Sequence, residues 1–140
     1  MISNAVVVDT NLIFSALIPK ASQIREILFE SNLLFYSPNF LVVEIYKHKD
    51  KLLKSSKLTE PEFYLYFNGI IERIKFIPSA FIRLDSRQKA YDLCHDVDIK
   101  DAPFVALSIE LAIPLWTGDN KLKHGLRKKG FNNFFNHQIS

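Results

Sequence analysis

Short apolar runs alternate with longer amphipathic stretches along the whole chain. The first run, Ala5–Val8, is rich in valine and apolar at every position, which is typical of a central strand in a parallel sheet. Similar runs at residues 33–36, 76–78 and 115–116 predict further strands, and residues 131–135 predict a final edge strand. Strands that alternate with helices indicate an α/β fold, here a three-layer α/β/α sandwich with a small, mainly parallel sheet of four to five strands.

The helical segments are recognised by their apolar periodicity and by the residues at their ends. Ser37 and Pro38 have the form of an N-cap and a first-turn proline, which predicts a helix over residues 38–53. Thr59 and Glu62 form a capping box, and Gly130 is placed to end the last helix. The other predicted helices span residues 12–17, 23–30, 60–74, 86–94, 101–113 and 120–129.

Length and composition restrict the class of protein. A chain of 140 residues suits one domain, residues 1–140, and 48% hydrophobic residues can build a substantial core. The single cysteine, Cys94, excludes an internal disulfide and predicts a packed thiol in a reducing compartment. The N-terminus lacks the basic region of a signal peptide, and no apolar stretch approaches the about 20 residues that span a membrane. We therefore expect a cytoplasmic protein.

The charge is basic and unevenly distributed. The formal net charge is +3, and lysines and arginines concentrate in residues 47–57 and 121–129. Such clusters either solvate helix faces or attract a polyanion, and the charge alone does not separate the two.

Two aspartates occupy positions that favour a ligand site. Asp9 directly follows the first strand, and Asp119 follows the strand at residues 115–116 after a short turn. Open α/β sheets bind ligands at the carboxyl ends of their strands, and a buried carboxylate needs a partner or a metal. Each aspartate could instead cap the helix that follows it.

Further acids point to the same region. Glu44 borders the apolar stripe of its predicted helix, where pairing with a nearby lysine is the alternative explanation. Asp96, Asp98 and Asp101 crowd one helix start, although a cap needs only one acid. Clustered carboxylates favour hard cations such as Mg²⁺ or Mn²⁺. The four histidines show no zinc-ligand spacing; they are His48, His95, His124 and His137.

Three stretches resemble the PIN-domain family, which includes the ribonuclease toxins of toxin–antitoxin pairs. They are residues 6–11 (Val-Val-Val-Asp-Thr-Asn), residues 37–44 (Ser-Pro-Asn-Phe-Leu-Val-Val-Glu), and the closing half formed by residues 98–107 and 114–120. The resemblance spans residues 6–134. The Asp-Thr-Asn opening and the Thr-Gly-Asp turn are its most specific parts, and the glutamate helix is its least specific.

The resemblance implies a site and an activity. Its metal-binding and catalytic acids would be Asp9, Glu44, Asp101 and Asp119, with Asp98 as an accessory acid. Asn11 and Thr117 would hydrogen-bond these carboxylates. The activity would be Mg²⁺- or Mn²⁺-assisted hydrolysis of RNA phosphodiester bonds.

The expected partners follow from the same resemblance. RNA is the implied substrate, and Lys121, Lys123 and Arg127 are candidates for contacts with its backbone. A toxin would have an antitoxin over its acidic cleft, and Tyr64, Tyr66 and Phe67 could form a homodimer or antitoxin surface unless they pack in the core. The alternative functions are a PIN-like module that binds RNA or protein without cutting, and a phosphotransfer domain with Asp9 as phosphoacceptor.

Overall fold

The computed structural model describes residues 4–18 and 22–136. Its strands are β1 (Ala5–Val8), β2 (Leu34–Pro38), β3 (Ile74–Ile77) and β4 (Leu115–Trp116). Its α-helices are α1 (Thr10–Ala16), α2 (Ser22–Glu30), α3 (Phe40–Lys47), α4 (Lys49–Ser56), α5 (Glu60–Glu72), α6 (Leu84–Cys94), α7 (Ala102–Leu111) and α8 (Asn120–Lys128). Short 3₁₀ turns form at Ser79–Phe81 and Ile99–Asp101. His137 lies outside the described residues.

The four strands form one parallel sheet in the order β3-β2-β1-β4. Val6 pairs with Phe35, and Val7 pairs with Leu115, so β1 is central and all four of its residues are buried. Helix α7 packs against β1 and β2, α3 against β2, and α5 against β3. The predicted α/β class, a small parallel sheet within a helical sandwich, is confirmed. Within the described residues, no helix is both long and apolar enough to cross a bilayer.

The predicted fifth strand is wrong. Phe134 forms one parallel bridge with Leu115 next to β4, but residues 131–135 form no continuous strand. Two backbone hydrogen bonds make this bridge, from the Leu115 N–H to the Asn133 carbonyl and from the Phe135 N–H to the Leu115 carbonyl, both at 2.9 Å. Phe135 also packs edge-on against the buried Trp116, with ring centroids 5.3 Å apart.

The segment after β2 departs from the sequence prediction in two ways. Pro38 is the last residue of β2 rather than the first residue of a helix, and the Ser37 hydroxyl donates to the Val8 carbonyl at 3.1 Å instead of capping. The predicted helix over residues 38–53 is two helices, α3 and α4, which meet at His48 with φ −110° and ψ 14°. Ser37 thus links β2 to β1 at the edge where β1 ends.

Other helix ends agree with the sequence more closely. The capping box of Thr59 and Glu62 is present, and Gly130 follows α8 with φ +93°. The helix predicted over residues 60–74 ends at Glu72, because Ile74 begins β3. Cys94 is fully buried, and burial raises the pKa of its thiol to about 12, so the prediction of a packed thiol is confirmed.

Helix α8 approaches the loop after α6 closely at Gly125. A Cβ atom on Gly125 would lie 2.9 Å from both γ carbons of Val97, which is too close for real atoms. Only glycine therefore allows α8 to pack at this distance from the segment that leads to Asp101.

Candidate metal centre

Two of the predicted acids lie at the same edge of the sheet. Asp9 directly follows β1, and Asp119 follows β4 after Thr117 and Gly118. Because β1 and β4 are parallel neighbours, their carboxyl ends point the same way. The topology therefore brings Asp9 and Asp119 to adjacent positions, where open α/β sheets bind ligands.

Asp9 is buried and only half satisfied. Its side chain is 1% exposed, and its Oδ1 accepts a hydrogen bond from the Leu12 N–H at 2.9 Å, which caps α1. Its Oδ2 is buried without a hydrogen-bond partner. The helix cap therefore uses one carboxylate oxygen and leaves the other for a ligand, so capping and ligand binding are compatible at this residue.

Thr117 connects Asp9 to Asp119. The Thr117 side chain is fully buried, and its Oγ1 accepts the Asp119 N–H at 3.1 Å. A hydrogen bond from the same side chain lowers the pKa of Asp9. Asp119 is half-buried, and its Oδ1 accepts the Leu122 N–H at 3.0 Å to cap α8. Thr117 therefore holds the two acid-bearing segments in a fixed relation.

Asp101 stands at the start of α7 without capping it. Its side chain is 8% exposed, it makes no side-chain cap hydrogen bond, and its Oδ2 is buried without a partner. Asp98 is exposed, and its Oδ1 accepts the Lys100 N–H at 3.1 Å. The neighbouring acids thus differ, because Asp98 caps a turn whereas Asp101 has a free buried oxygen.

Glu44 projects from α3 beside the core. Leu41 and Ile45 on the same helix are buried, and Glu44 itself is half-buried. Its negative charge contributes to raising the pKa of Asp101. Glu44 therefore lies within electrostatic reach of Asp101, although the two residues are far apart in the sequence.

The pKa values report how the acids affect one another. The pKa of Asp101 is raised to about 7, first by burial and then by the charges of Asp9, Asp98, Asp119 and Glu44, in that order. Burial likewise raises the pKa of Asp9 to about 6, with a smaller increase from Asp119, while hydrogen bonds from Thr117 and Leu12 oppose it. All the predicted acids therefore act on one carboxylate, Asp101.

A divalent cation fits this donor set. The unpartnered Oδ2 atoms of Asp9 and Asp101 are hard oxygen ligands in a region of concentrated negative charge. Within residues 4–18 and 22–136, no three Asp, Glu, His or Cys side chains lie close enough together to hold an ion as they stand. The carboxylates therefore influence one another electrostatically without forming a ready ligand group within these residues.

The comparison with protein families agrees with this geometry. The family model described as a PIN domain matches residues 7–137. The chain belongs to the PIN-domain family. PIN domains are generally nucleases and typically use divalent metal ions. A comparison with curated proteins finds no match.

A cavity of about 610 Å³ in this PIN domain borders Asp119, the one predicted acid among its lining residues. Asn11 is exposed and lines this cavity together with Gly118 and Asp119. His48 and Lys51 line the same cavity, and sequence reasoning did not find them as site residues. His48 lies at the break between α3 and α4, for which the sequence carries no proline or glycine signal.

The predicted basic contacts separate into two groups. Lys121 and Lys123 lie in the first turn of α8, next to Asp119, with Lys121 exposed and Lys123 half-buried. Arg127 lies further along α8, where its guanidinium stands over the Phe134 ring at 5.1 Å from the centroid. The two lysines are therefore closer to the acids along the helix than Arg127 is.

The aromatic residues proposed for a protein surface are only partly exposed. Tyr66 is 40% exposed and packs edge-on against Phe29, while Tyr64 and Phe67 are half-buried and contact Phe63. Much of their area is thus already used inside the PIN domain.

Proposed function

We propose that this PIN domain is a Mg²⁺- or Mn²⁺-dependent endoribonuclease, and that it acts as the toxin of a toxin–antitoxin pair. The observation that carries the nuclease proposal is the pair of buried, unpartnered carboxylate oxygens on Asp9 and Asp101, at the edge where Asp119 also lies. Leaving such groups unpaired destabilises the fold, and a bound divalent cation would compensate for that cost.

Each acid has a proposed role in holding the ion. Asp9, Asp101 and Asp119 would ligate it directly or through water, Glu44 would ligate it or orient a water molecule, and Asp98 would act as an accessory acid. When bound, the cation would supply activation of water and stabilisation of the negative charge on the phosphodiester. Thr117 would keep Asp9 and Asp119 in register through its hydrogen bonds.

The residues around the acids would bind and orient the substrate. Lys121 and Lys123, in the first turn of α8, would contact RNA phosphates, as would Arg127 from its position on Phe134. Asn11, exposed in the cavity wall, would donate to the substrate or to a carboxylate. The proposed antitoxin would cover the acidic edge, and a homodimer would use the surface formed by Tyr64, Tyr66 and Phe67.

A cleavage assay with matched variants tests the nuclease proposal. Mixed RNA is incubated with the wild-type protein and Mn²⁺, with the same protein and EDTA, and with Asp9→Asn and Mn²⁺. Cleavage is expected only in the first reaction, with a loss of at least about 100-fold for Asp9→Asn. Asp85→Asn, which neutralises an exposed acid on α6, is the control and should cleave like the wild type.

Two outcomes would contradict the proposal. Cleavage that persists in Asp9→Asn or in EDTA would mean that another site or a contaminant is responsible. RNA binding without cleavage under any of these conditions would favour the alternative, a PIN domain that binds RNA or protein without cutting it.

A further inference from the structure

The cavity beside Asp119 is large enough for part of a nucleic-acid strand. Its volume of about 610 Å³ lies within the range of small-ligand pockets, which is roughly 300–1,000 Å³. It is lined by α1, by α4 and by the loop that joins β4 to α8. Because Asp119 lies in its wall, the cavity is continuous with the proposed metal centre.

One wall of the cavity is basic and polar. His48, Lys51 and Ser55 line it, with Lys51 and Ser55 exposed and His48 half-buried. His48 occupies the break between α3 and α4, and Lys51 and Ser55 follow at spacings of three and four residues along α4. Residues at these spacings share one helix face, so the three side chains form a single surface.

Another part of the cavity is apolar. Phe14 and Ile18 contribute half-buried side chains, and Leu52 is 6% exposed. The Phe14 ring meets the His48 ring edge-on, with centroids 5.7 Å apart and planes at 77°. The cavity therefore offers apolar surface next to hydrogen-bond donors, which is the combination that accommodates an unpaired nucleotide.

The charges define which way a nucleotide would lie. Asp119, from the loop before α8, would repel a phosphate, whereas Lys51, from α4, would attract it. We propose that this cavity binds one nucleotide of a single-stranded RNA substrate, adjacent to the bond that is cut. Lys51 and His48 contact its phosphate, and Phe14 and Leu52 contact its base. This proposal rests on the proposed ribonuclease function and assigns the substrate a path along α4.

A pair of lysine variants isolates the contribution of the cavity. Lys51→Gln removes a charge from the cavity wall, and Lys54→Gln removes the same charge from an exposed position on α4 that does not line this cavity. Both are made in an Asp101→Asn background so that the RNA stays intact. Binding of a fluorescein-labelled single-stranded RNA of eight nucleotides is measured by anisotropy in EDTA over a series of salt concentrations.

Lys51→Gln should raise the Kd at least about 5-fold and reduce the salt dependence by about 0.7 in log–log slope, as expected for the loss of one phosphate contact. Lys54→Gln should change the Kd less than about 2-fold, because this variant loses only a long-range attraction to the RNA. A second pair adds a negative charge: Ser55→Asp in the cavity should weaken binding strongly, and Asn68→Asp on α5 should not. Thermal unfolding of each variant shows that it is folded.

The outcomes separate this proposal from the ribonuclease proposal. Equal effects of Lys51→Gln and Lys54→Gln on binding would overturn the cavity assignment, even if the wild-type protein cleaves RNA. A selective effect of Lys51→Gln would support the assignment, even if cleavage with Mn²⁺ were absent and the ribonuclease proposal failed. In a cleaving protein, Lys51→Gln should raise KM more than it lowers kcat.

Discussion

Two regions of this molecule differ in whether their carboxylates have hydrogen-bond partners. Between α6 and α7, Glu110 accepts hydrogen bonds from the Arg83 N–H at 2.8 Å and the Ser86 hydroxyl at 3.0 Å, and it pairs with the Arg83 side chain at 3.2 Å. The Arg83 N–H is the main reason that the pKa of Glu110 is lowered. At the carboxyl edge of the sheet, Asp9 and Asp101 each keep a buried oxygen without a partner, and both pKa values are raised.

The contrast separates an acid whose bonds stabilise the fold from acids that each keep an unsatisfied buried oxygen. Glu110 shows that the chain can satisfy a carboxylate fully with its own donors. The unpartnered oxygens at the sheet edge are therefore a local feature of that edge, and they reduce the stability of the metal-free protein. Three measurements test whether the two regions differ in this way.

The largest expected effect is stabilisation by a divalent ion. Mn²⁺ at about 100 times its Kd should stabilise the wild-type protein by roughly 2.7 kcal/mol, which corresponds to an increase in Tm of about 8–10 °C. Asp101→Asn should lose most of this increase, because it removes a ligand. Glu110→Gln, the control from the other region, should keep it. An equal Mn²⁺-dependent shift in Asp101→Asn and the wild type would place the ion elsewhere.

The second effect is a pH-dependent gain in stability in Asp101→Asn without metal. The folded-state pKa of Asp101 is raised from 3.8 to about 7. Its favourable contribution to the free energy of unfolding is therefore fully present below pH 3.8 and is lost as the pH rises through about 7. In EDTA at pH 8, Asp101→Asn should therefore be more stable than the wild type by about 1–2 kcal/mol. The difference should disappear near pH 4. Urea unfolding at both pH values measures it, and a less stable variant at pH 8 would contradict the expectation.

The smallest effect is expected at Glu110. The pKa of Glu110 is lowered in the folded state. Its contribution to the free energy of unfolding is therefore present above its unfolded pKa of 4.5 and is lost as the pH falls. Glu110→Gln should lower Tm by a few degrees at pH 7 and by less at pH 4, with RNA cleavage unchanged. Glu26→Gln, at an exposed position on α2, is the matched control and should leave Tm as it is. A stabilising effect of Glu110→Gln at pH 7 would remove the contrast between the two regions.

The fold could be predicted where local pattern and tertiary packing agree. The valine run of β1 and the Thr59–Glu62 capping box are such places. The prediction failed at Ser37, because its hydroxyl bonds to Val8, which is 29 residues away, and not to the following helix. It failed again at His48, where a helix of favourable composition breaks without proline or glycine. A contact distant in the sequence decided the outcome at Ser37, and local propensity does not contain it.

The sequence could predict where the candidate acids lie in the fold, and could not predict the state of each carboxylate oxygen. Asp9 and Asp119 were recognised because each follows a strand, but the sequence could not show that the Asp9 cap uses Oδ1 and leaves Oδ2 free. Capping and ligand binding had to be treated as alternatives until the two oxygens could be distinguished. His48 and Lys51 were not recognised, because only the folded chain brings α4 together with α1 and the loop before α8 around the cavity.

The close contact at Gly125 shows that the spacing of the acids also depends on a residue that has no charge. Helix α8 is capped by Asp119, and Gly125 near its middle packs against Val97, which lies between α6 and Asp101. A methyl group at position 125 would push these two segments apart and would tilt the helix that begins beside Asp119. The affinity of the proposed site for a cation would then fall although every acidic residue is retained, so the absence of a side chain at position 125 would matter to the proposed metal centre.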